Sequence, residues 1–422
     1  MLIALSLGTL FLLLLTGLPI AFSLSLSGVI VLYLLMGGTA TLAVPQMMFE
    51  ALDSFTLLSI PFFILAADLL IAGGLTKRLV DAVEILLGNV RGGLATVAVV
   101  ACAFFAAISG SSTATAVAVG AVLIPEFARR GYDARYSAGL VAVGGSLGIL
   151  IPPSIPMIIY GNVAQESVGK LFIAGIIPGI VLTVVLILVG MVVLGHSRHD
   201  VPRASSAQRW AAVQRAAGIL VLPVLIAGAI YGGIATPTET AGLAVVYSLI
   251  LSLFFYRGFR ARELVRVLAD SAGMSAMILL IIAGATVFAY VLTILQIPQT
   301  ATAYVLQGKL SVTEFLLLVN VILLVLGMFL DITSILLLTM PIFLPIVHKL
   351  GIDPIHFAVI FVVNMELALI TPPLGVHLFA LSGLTGLRVS EVLRGSLPFA
   401  AALAAVLVLV TYVPWLSLVL AR

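Results

Sequence analysis

The chain has 422 residues, 62% of them hydrophobic and 9% charged, against roughly 45–50% and 25% in soluble domains. That composition excludes a soluble globular protein carrying one anchor and implies a chain embedded in a bilayer along its whole length. The net charge of +3 says nothing about partners, because in a membrane chain the positions of the positive charges matter, and the single cysteine, Cys102, excludes a disulfide framework.

Only helices or closed barrels span lipid, and recurring apolar runs of about 20 residues point to helices. Leu2 to Met36 is expected to form one long or one broken crossing, interrupted near Gly17-Leu18-Pro19; it is too long for a signal-peptide core and lacks a charged n-region, so it reads as retained. Thr56 to Ala72 crosses. Lys77 to Val90 is amphipathic, with Leu79, Val80, Val83, Leu86 and Leu87 on one face, and is expected at the interface. Gly92 to Ser109 and Thr113 to Ala128 are apolar arms around Gly110-Ser111-Ser112, and Tyr136 to Ile151 and Ser154 to Val163 flank a double proline. Leu171 to Leu194, Gly218 to Tyr231 and Ala241 to Phe255 cross, with the polar stretch His196 to Arg215 among them. Ala261 to Ala269 reads as a second basic interfacial stretch and Met274 to Leu295 as a crossing. The arms and broken helix then recur from Phe315, and Leu397 to Leu420 forms the last crossing.

The recurrence is gapless. Gly110 to Pro178 returns 220 residues later as Leu330 to Pro398, pairing Thr113 with Thr333, Pro125 with Pro345, Asp133 with Asp353, Pro152-Pro153 with Pro372-Pro373, and Pro178 with Pro398. Paired helix-breakers in two halves of a hydrophobic chain point to the binding site of a secondary transporter. Arg198, Arg203, Arg209 and Arg215, and again Arg257, Arg260, Arg262 and Arg266, mark two cytoplasmic loops. Counting crossings outward from them places Arg129, Arg130 and Arg135 inside, so the first pair of arms is a re-entrant hairpin entered from the cytoplasm. The second is entered from the opposite side. The loop charges flip accordingly: three arginines after the first hairpin become the lone Lys349 after the second. The fold expected is an all-α polytopic membrane protein with inverted-topology repeats, each a re-entrant helical hairpin and a broken helix.

Irregular backbone at membrane depth is tolerated where it lines a cavity or binds something, and hard cations take oxygen ligands. Two ion sites are therefore expected. The first comprises Ser111, Ser112 and Thr113 at the tip with Gly145, Ser146, Gly148 and Pro152 at the break; the second comprises Asp331, Thr333 and Ser334 with Asn364, Glu366 and Thr371. Helix N-termini at Thr113 and at Ser154, just after Pro153, offer free N–H groups to a carboxylate substrate, and His377 follows the second break as a further candidate contact. Asp331 and Glu366 are the intramembrane carboxylates for which function is the default reading; single membrane Ser and Thr more often bond their own helix. Asp68 is a candidate for pairing with a neighbouring subunit, and His196, His199, His348 and His356 read as solvated.

Gly110-Ser111-Ser112, Ile124-Pro125, Gly131-Tyr132, the run Gly144-Gly145-Ser146-Leu147-Gly148-Ile149-Leu150-Ile151-Pro152-Pro153-Ser154-Ile155-Pro156-Met157, and Leu171-Phe172-Ile173-Ala174-Gly175-Ile176-Ile177-Pro178-Gly179 resemble the large membrane subunit of tripartite ATP-independent periplasmic (TRAP) transporters. The resemblance covers nearly the whole chain and implies a sodium-driven importer of organic acids in the bacterial inner membrane. It implies two partners, a four-helix small membrane subunit and a soluble periplasmic binding protein, alongside membrane lipid and no nucleic acid. It also implies an elevator, with residues 92–178 and 312–385 sliding as the transport repeats against scaffold helices in 1–91 and 179–311, and with 386–422 as the C-terminal helix. Sodium is the coupling ion and no cofactor is expected. Where the family's first hairpin often reads Gly-Ser-Gly-Pro, this chain has Gly110-Ser111-Ser112-Thr113, which keeps the hydroxyls. The Ser167 to Gly179 stretch makes C4-dicarboxylates the first expectation for the cargo, with sialic acid or another carboxylate behind.

A self-sufficient dicarboxylate transporter or ion channel would share the inverted repeat but work alone. An enzyme is not expected: the chain has no His-Glu-x-x-His, no Walker motif and no clustered His or Cys. The missing ATP motif leaves an ion gradient as the energy source.

Overall fold

The computed structural model describes residues 2–90, 92–194, 204–256 and 261–421. The topology markers Arg198, Arg203, Arg257 and Arg260, and the histidines His196 and His199, lie outside them. Helices α1 (Leu2–Leu15) and α2 (Ile20–Met36) are separated by Gly17, at φ +84°, and Pro19. The Ser27 hydroxyl donates to the Ser6 carbonyl at 3.1 Å and meets the Thr9 hydroxyl at 2.9 Å. The N-terminal segment is thus the broken form, folded back on itself. Short helices α3 (Gly38–Thr41) and α4 (Val44–Leu52) lead to α5 (Ser59–Ala72), and a 71° bend follows into α6 (Leu75–Leu87).

Helices α7 (Gly93–Ser109) and α8 (Ser112–Arg129) pack together as the first hairpin. The first broken helix is α9 (Ala134–Gly144), the single turn α10 (Leu147–Leu150) and α11 (Ile155–Ala164), followed by α12 (Val168–Leu194). Next come α13 (Ser206–Tyr231), α14 (Pro237–Ile250) with a π-helical turn Leu251–Phe255, α15 (Ala261–Ile294) and α16 (Ile297–Gln307). The second hairpin is α17 (Val312–Gly327) with α18 (Ile332–Lys349), and the second broken helix is α19 (Pro354–Leu369) with α20 (Val376–Thr385). Helices α21 (Val389–Tyr412) and α22 (Trp415–Leu418) close the described chain.

Several expectations change. The amphipathic stretch is α6, and its apolar face of Leu75, Leu79, Val80 and Val83 packs on α13, α7 and α8, so protein covers much of what an interface would. The polar stretch before Gly218 becomes helix at Ser206, because Ser205 and Gln208 form a reciprocal capping box. Ala261 to Ala269 is no separate interfacial element but the first turns of the 34-residue α15, since no Pro interrupts it. Helices α4 and α16 went unforeseen; each starts with Pro in its first turn, a start signal in a polar neighbourhood. Asp68 pairs within the chain, accepting from Ser271 at 2.6 Å. His356 is buried, its Nδ1 3.3 Å from Ser417 Oγ, because α22 folds over it.

The repeat is structural as well as sequential. Helices α8 and α18 start and stop at equivalent positions, 220 residues apart, and Ser111 and Asp331 cap them by accepting from the N–H of Ala114 (3.3 Å) and Ser334 (3.2 Å). Asp133 and Asp353 cap α9 and α19 in the same way, each accepting at 2.8 Å from the residue two ahead. Both double prolines hold a cis peptide bond. Among the described residues seven helices are long and apolar enough to cross a membrane, or eight if α5 and α6 make one bent span. The apolar window of the first broken helix is 89% buried, while those of α12 and α13 are 28% and 22% buried. The repeats therefore form the interior, and α12 and α13 present most of their surface outward.

Candidate ion and substrate site at the hairpin tips

The first tip closes against the first break. Gly110, at φ +63°, turns the chain between α7 and α8, and its carbonyl accepts from the Ile155 amide at 3.2 Å. A Cβ on Gly148 would lie 2.5 Å from the Ser111 carbonyl oxygen, and one on Gly145 2.9 Å from that of Ser112. Only glycine permits this approach. Ser111, Ser112, Gly145, Ser146 and Gly148 are thereby brought together, with Thr113 on the first turn of α8 and Ser154 capping α11 by accepting from the Met157 amide at 3.4 Å. The tip is internally tied: the Thr115 hydroxyl donates to the Ser111 carbonyl at 2.8 Å and lies 2.8 Å from Ser109 Oγ.

The break itself begins before the double proline. The amides of Ser146 and Gly148 bond three residues back, to Val143 and Gly145, at 2.9 and 2.8 Å. That tighter winding frees the Ala142 carbonyl, which takes a bond from His377 Nδ1 at 3.0 Å. A carbonyl only accepts, so Nδ1 carries the proton and Nε2, buried and unpartnered, keeps its lone pair. His377 therefore reaches from the second repeat onto the first. In the second copy Asn364, Met365 and Ala368 replace the three glycines at 144, 145 and 148, and α19 stays helical to Leu369. The early unwinding at Gly145, Ser146 and Gly148 is where the sequence places the first break, with the Gly-Gly-Ser-x-Gly run as its signal; the second copy, lacking those glycines, departs from the helix only next to its double proline.

The second tip closes differently. The Leu374 amide donates to the Met328 carbonyl at 3.1 Å, and a Cβ on Gly327 would lie 2.3 Å from Ala368 Cβ. Asp331 spends its carboxylate on the cap of α18, accepting from the Ser334 amide and hydroxyl. Thr333 is buried two residues further along, and the Thr371 hydroxyl bonds its own helix at the Leu367 carbonyl, 2.6 Å away. Asn364 donates to the Asn320 side chain and carbonyl at 2.8 and 2.9 Å, and its own Oδ1 is buried and unpartnered. Asn320, on α17, was not foreseen; a lone Asn in an apolar arm was its only sign.

Glu366 does not join Asp331. Its carboxyl, buried, faces the hydroxyls of Ser112 and Ser146 without closing a hydrogen bond of good geometry to either. Pro152 leaves the tip to line a small apolar pocket of about 160 Å³ with Phe172, Pro223, Ile226 and Tyr231. A larger polar cavity of about 630 Å³, lined by Glu50, Asp53, Ser54, Asn162, Gln165 and Glu166, opens at the far end of α11. Among the described residues no three His, Cys, Asp or Glu converge. The buried unpartnered oxygens of Ser146, Asn364 and Glu366 suit a hard monovalent cation and not a transition metal.

The family model described as "Tripartite ATP-independent periplasmic transporter, DctM component" matches residues 7–416. The chain belongs to that family. It is thus a TRAP large permease, a multi-pass protein of the inner membrane. The C4-dicarboxylate TRAP large permease DctM of Pseudomonas aeruginosa is 45% identical over 94% of this chain and 93% of its own length. The sialic acid TRAP large permease SiaM of Vibrio cholerae is 33% identical over 97% of this chain and 96% of its own. Among solved structures, the Alcanivorax borkumensis YdaH transporter superposes with a TM-score of 0.65 at 16% identity, covering 91% of this chain and 90% of that one. At that identity the likeness shows the fold of this TRAP permease alone.

Proposed function

We propose that this permease imports a C4-dicarboxylate by sodium symport, receiving it from a soluble periplasmic binding protein and working with a small four-helix membrane subunit. The observation that carries this reading is the 45% identity, over almost the full length of both chains, to a permease named for C4-dicarboxylates; sialic acid is the second choice of cargo, on the weaker likeness to SiaM. The family's tripartite description supports the two partners. Sodium is supported by tips built of hydroxyls, backbone carbonyls and lone carboxylates at membrane depth. The free N–H groups after Ser111 and Ser154, with the unpartnered Nε2 of His377, are suited to an anionic cargo.

The elevator reading is supported by bonds that hold the two repeats to each other as one body. The two repeats interlock through bonds such as Tyr160 Oη to the Pro354 carbonyl, 2.7 Å, and His377 to Ala142. Hydrogen bonds from the repeats to 1–91 include Ser54 to Asn162 at 2.6 Å and Arg130 to Glu84. Proteoliposomes test the whole reading. Uptake of labelled succinate down a sodium gradient is expected only when this chain, the small subunit and the loaded binding protein are all present. Robust uptake by this chain alone would favour a self-sufficient transporter.

A further inference from the structure

Glu366 and Ser146 occupy equivalent positions in the two repeats, 220 residues apart, yet they sit face to face. Ser146 is presented by the tightened turn after α9, and Glu366 by the last turns of the unbroken α19, which packs on α10. Ser112, at the start of α8, completes the group. All three side chains are buried, and the Ser146 hydroxyl and both Glu366 oxygens lack a hydrogen-bond partner. A carboxylate at this depth without a counter-charge costs several kcal/mol, and two hydroxyls cannot cancel it. Asp331, by contrast, is committed to capping α18 and stays half-buried.

Resting on the sodium reading above, we infer that Glu366 is the anionic ligand of the cation site at the first hairpin, crossing from the second repeat to complete it with Ser112 and Ser146. The sequence alone grouped Glu366 with Asp331 and made the second site the charged one. The structure reverses this: the site at the first tip carries the full charge, and the site at the second tip relies on neutral oxygens beside a carboxylate already engaged in a cap. Because the ligand comes from the other repeat, sodium binding would also clamp the two repeats together.

The test uses the permease purified with its small subunit. Its thermal midpoint is titrated with sodium chloride against choline chloride, and binding of radiolabelled sodium is measured directly. Glu366→Gln keeps the shape and removes the charge, so the sodium concentration for half-maximal stabilisation should rise about tenfold or more. Ser146→Ala should raise it about threefold, one neutral ligand's worth. Asp331→Asn should leave it within about twofold, since Asn caps as well as Asp. If Glu366→Gln fails to fold, Glu366→Asp, which retracts the carboxylate by one methylene, must still weaken sodium binding. Unchanged sodium affinity in Glu366→Gln, or a larger loss in Asp331→Asn, overturns the assignment while leaving sodium coupling standing. Equal stabilisation of the unmodified protein by sodium and choline overturns the sodium reading, and the assignment with it.

Discussion

Gly139 and Gly395 bring α9 and α21 into backbone contact. A Cβ on Gly395 would lie 2.0 Å from the Arg135 carbonyl oxygen, and one on Gly139 would lie 2.3 Å from the Gly395 carbonyl carbon. Helix α9 belongs to the first repeat, and the start of α21 closes the second, so this crossing joins the halves backbone to backbone. In a membrane, where lipid competes for apolar surface, such small-residue contacts do the work of association. Neither neighbour is a side chain that can swing away. Gly139→Ala and Gly395→Ala should each cost about 1–3 kcal/mol or more, seen as a lowered thermal midpoint in detergent. Gly383→Ala, on α20 with open space around its Cα, is the control and should change little.

Much of this fold was legible because its breakers are local signals. The gapless repeat fixed both hairpins, and the caps Asp133 and Asp353 appear where the sequence pairs them. What was not legible depends on long-range packing. Nothing local says that Glu366 faces Ser146, that His377 takes the Ala142 carbonyl, or that α6 lays its apolar face on protein. An amphipathic period is the same whether lipid or protein covers it. His356 was misread for the same reason: its place beside a loop is visible in the sequence, and its cover by α22 is not.

Arg130 ties the first hairpin to α6. It bonds Glu84 and, at 2.5 Å, Glu126, with its side chain 17% exposed and that of Glu84 23%. At this partial burial the pair is screened less than a surface bridge. A double-mutant cycle with Glu84→Gln and Arg130→Gln, read from thermal midpoints, should give a coupling of about 1–2 kcal/mol. A coupling indistinguishable from zero would make the pair a bystander.

The cap at Asp331 separates shape from charge. Asp331→Ala removes the acceptor for the Ser334 amide and should cost about 1 kcal/mol, while Asp331→Asn should stay within about 0.5 kcal/mol. Thermal midpoints measured without sodium isolate this structural term. Equal losses in both variants would mean that the charge of Asp331, and not its cap, matters for stability.

Ser54 and Asn162 join the loop after α4 to the end of the first broken helix. If the repeats slide against the scaffold, that contact must part in every cycle. Cysteines at Ser54 and Asn162, in a background with Cys102→Ala, should be bridged by a short bifunctional thiol reagent. Bridging should then abolish sodium-driven uptake by the complete transporter, and a reducible linker should allow recovery. Uptake that survives full cross-linking would show that this contact persists through transport, against sliding at this boundary.

The inversion of the repeats has a direct test in their last helical residues. Arg129 ends α8 and Lys349 ends α18, at equivalent positions, and both side chains are exposed. Arg129 follows Glu126 with only a surface bridge between them, so replacing it should perturb little. Charge counting puts Arg129 in the cytoplasm with Arg130 and Arg135, and Lys349 on the opposite side. Single cysteines at the two positions, again with Cys102→Ala because that buried thiol would complicate quantification, are treated in intact cells with a membrane-impermeant maleimide. The residue-349 variant should label in intact cells, and the residue-129 variant only after the membrane is opened. Labelling of both from the same side would mean that the two hairpins enter the membrane in parallel. Ion sites related by a two-fold axis in the membrane plane would then be ruled out.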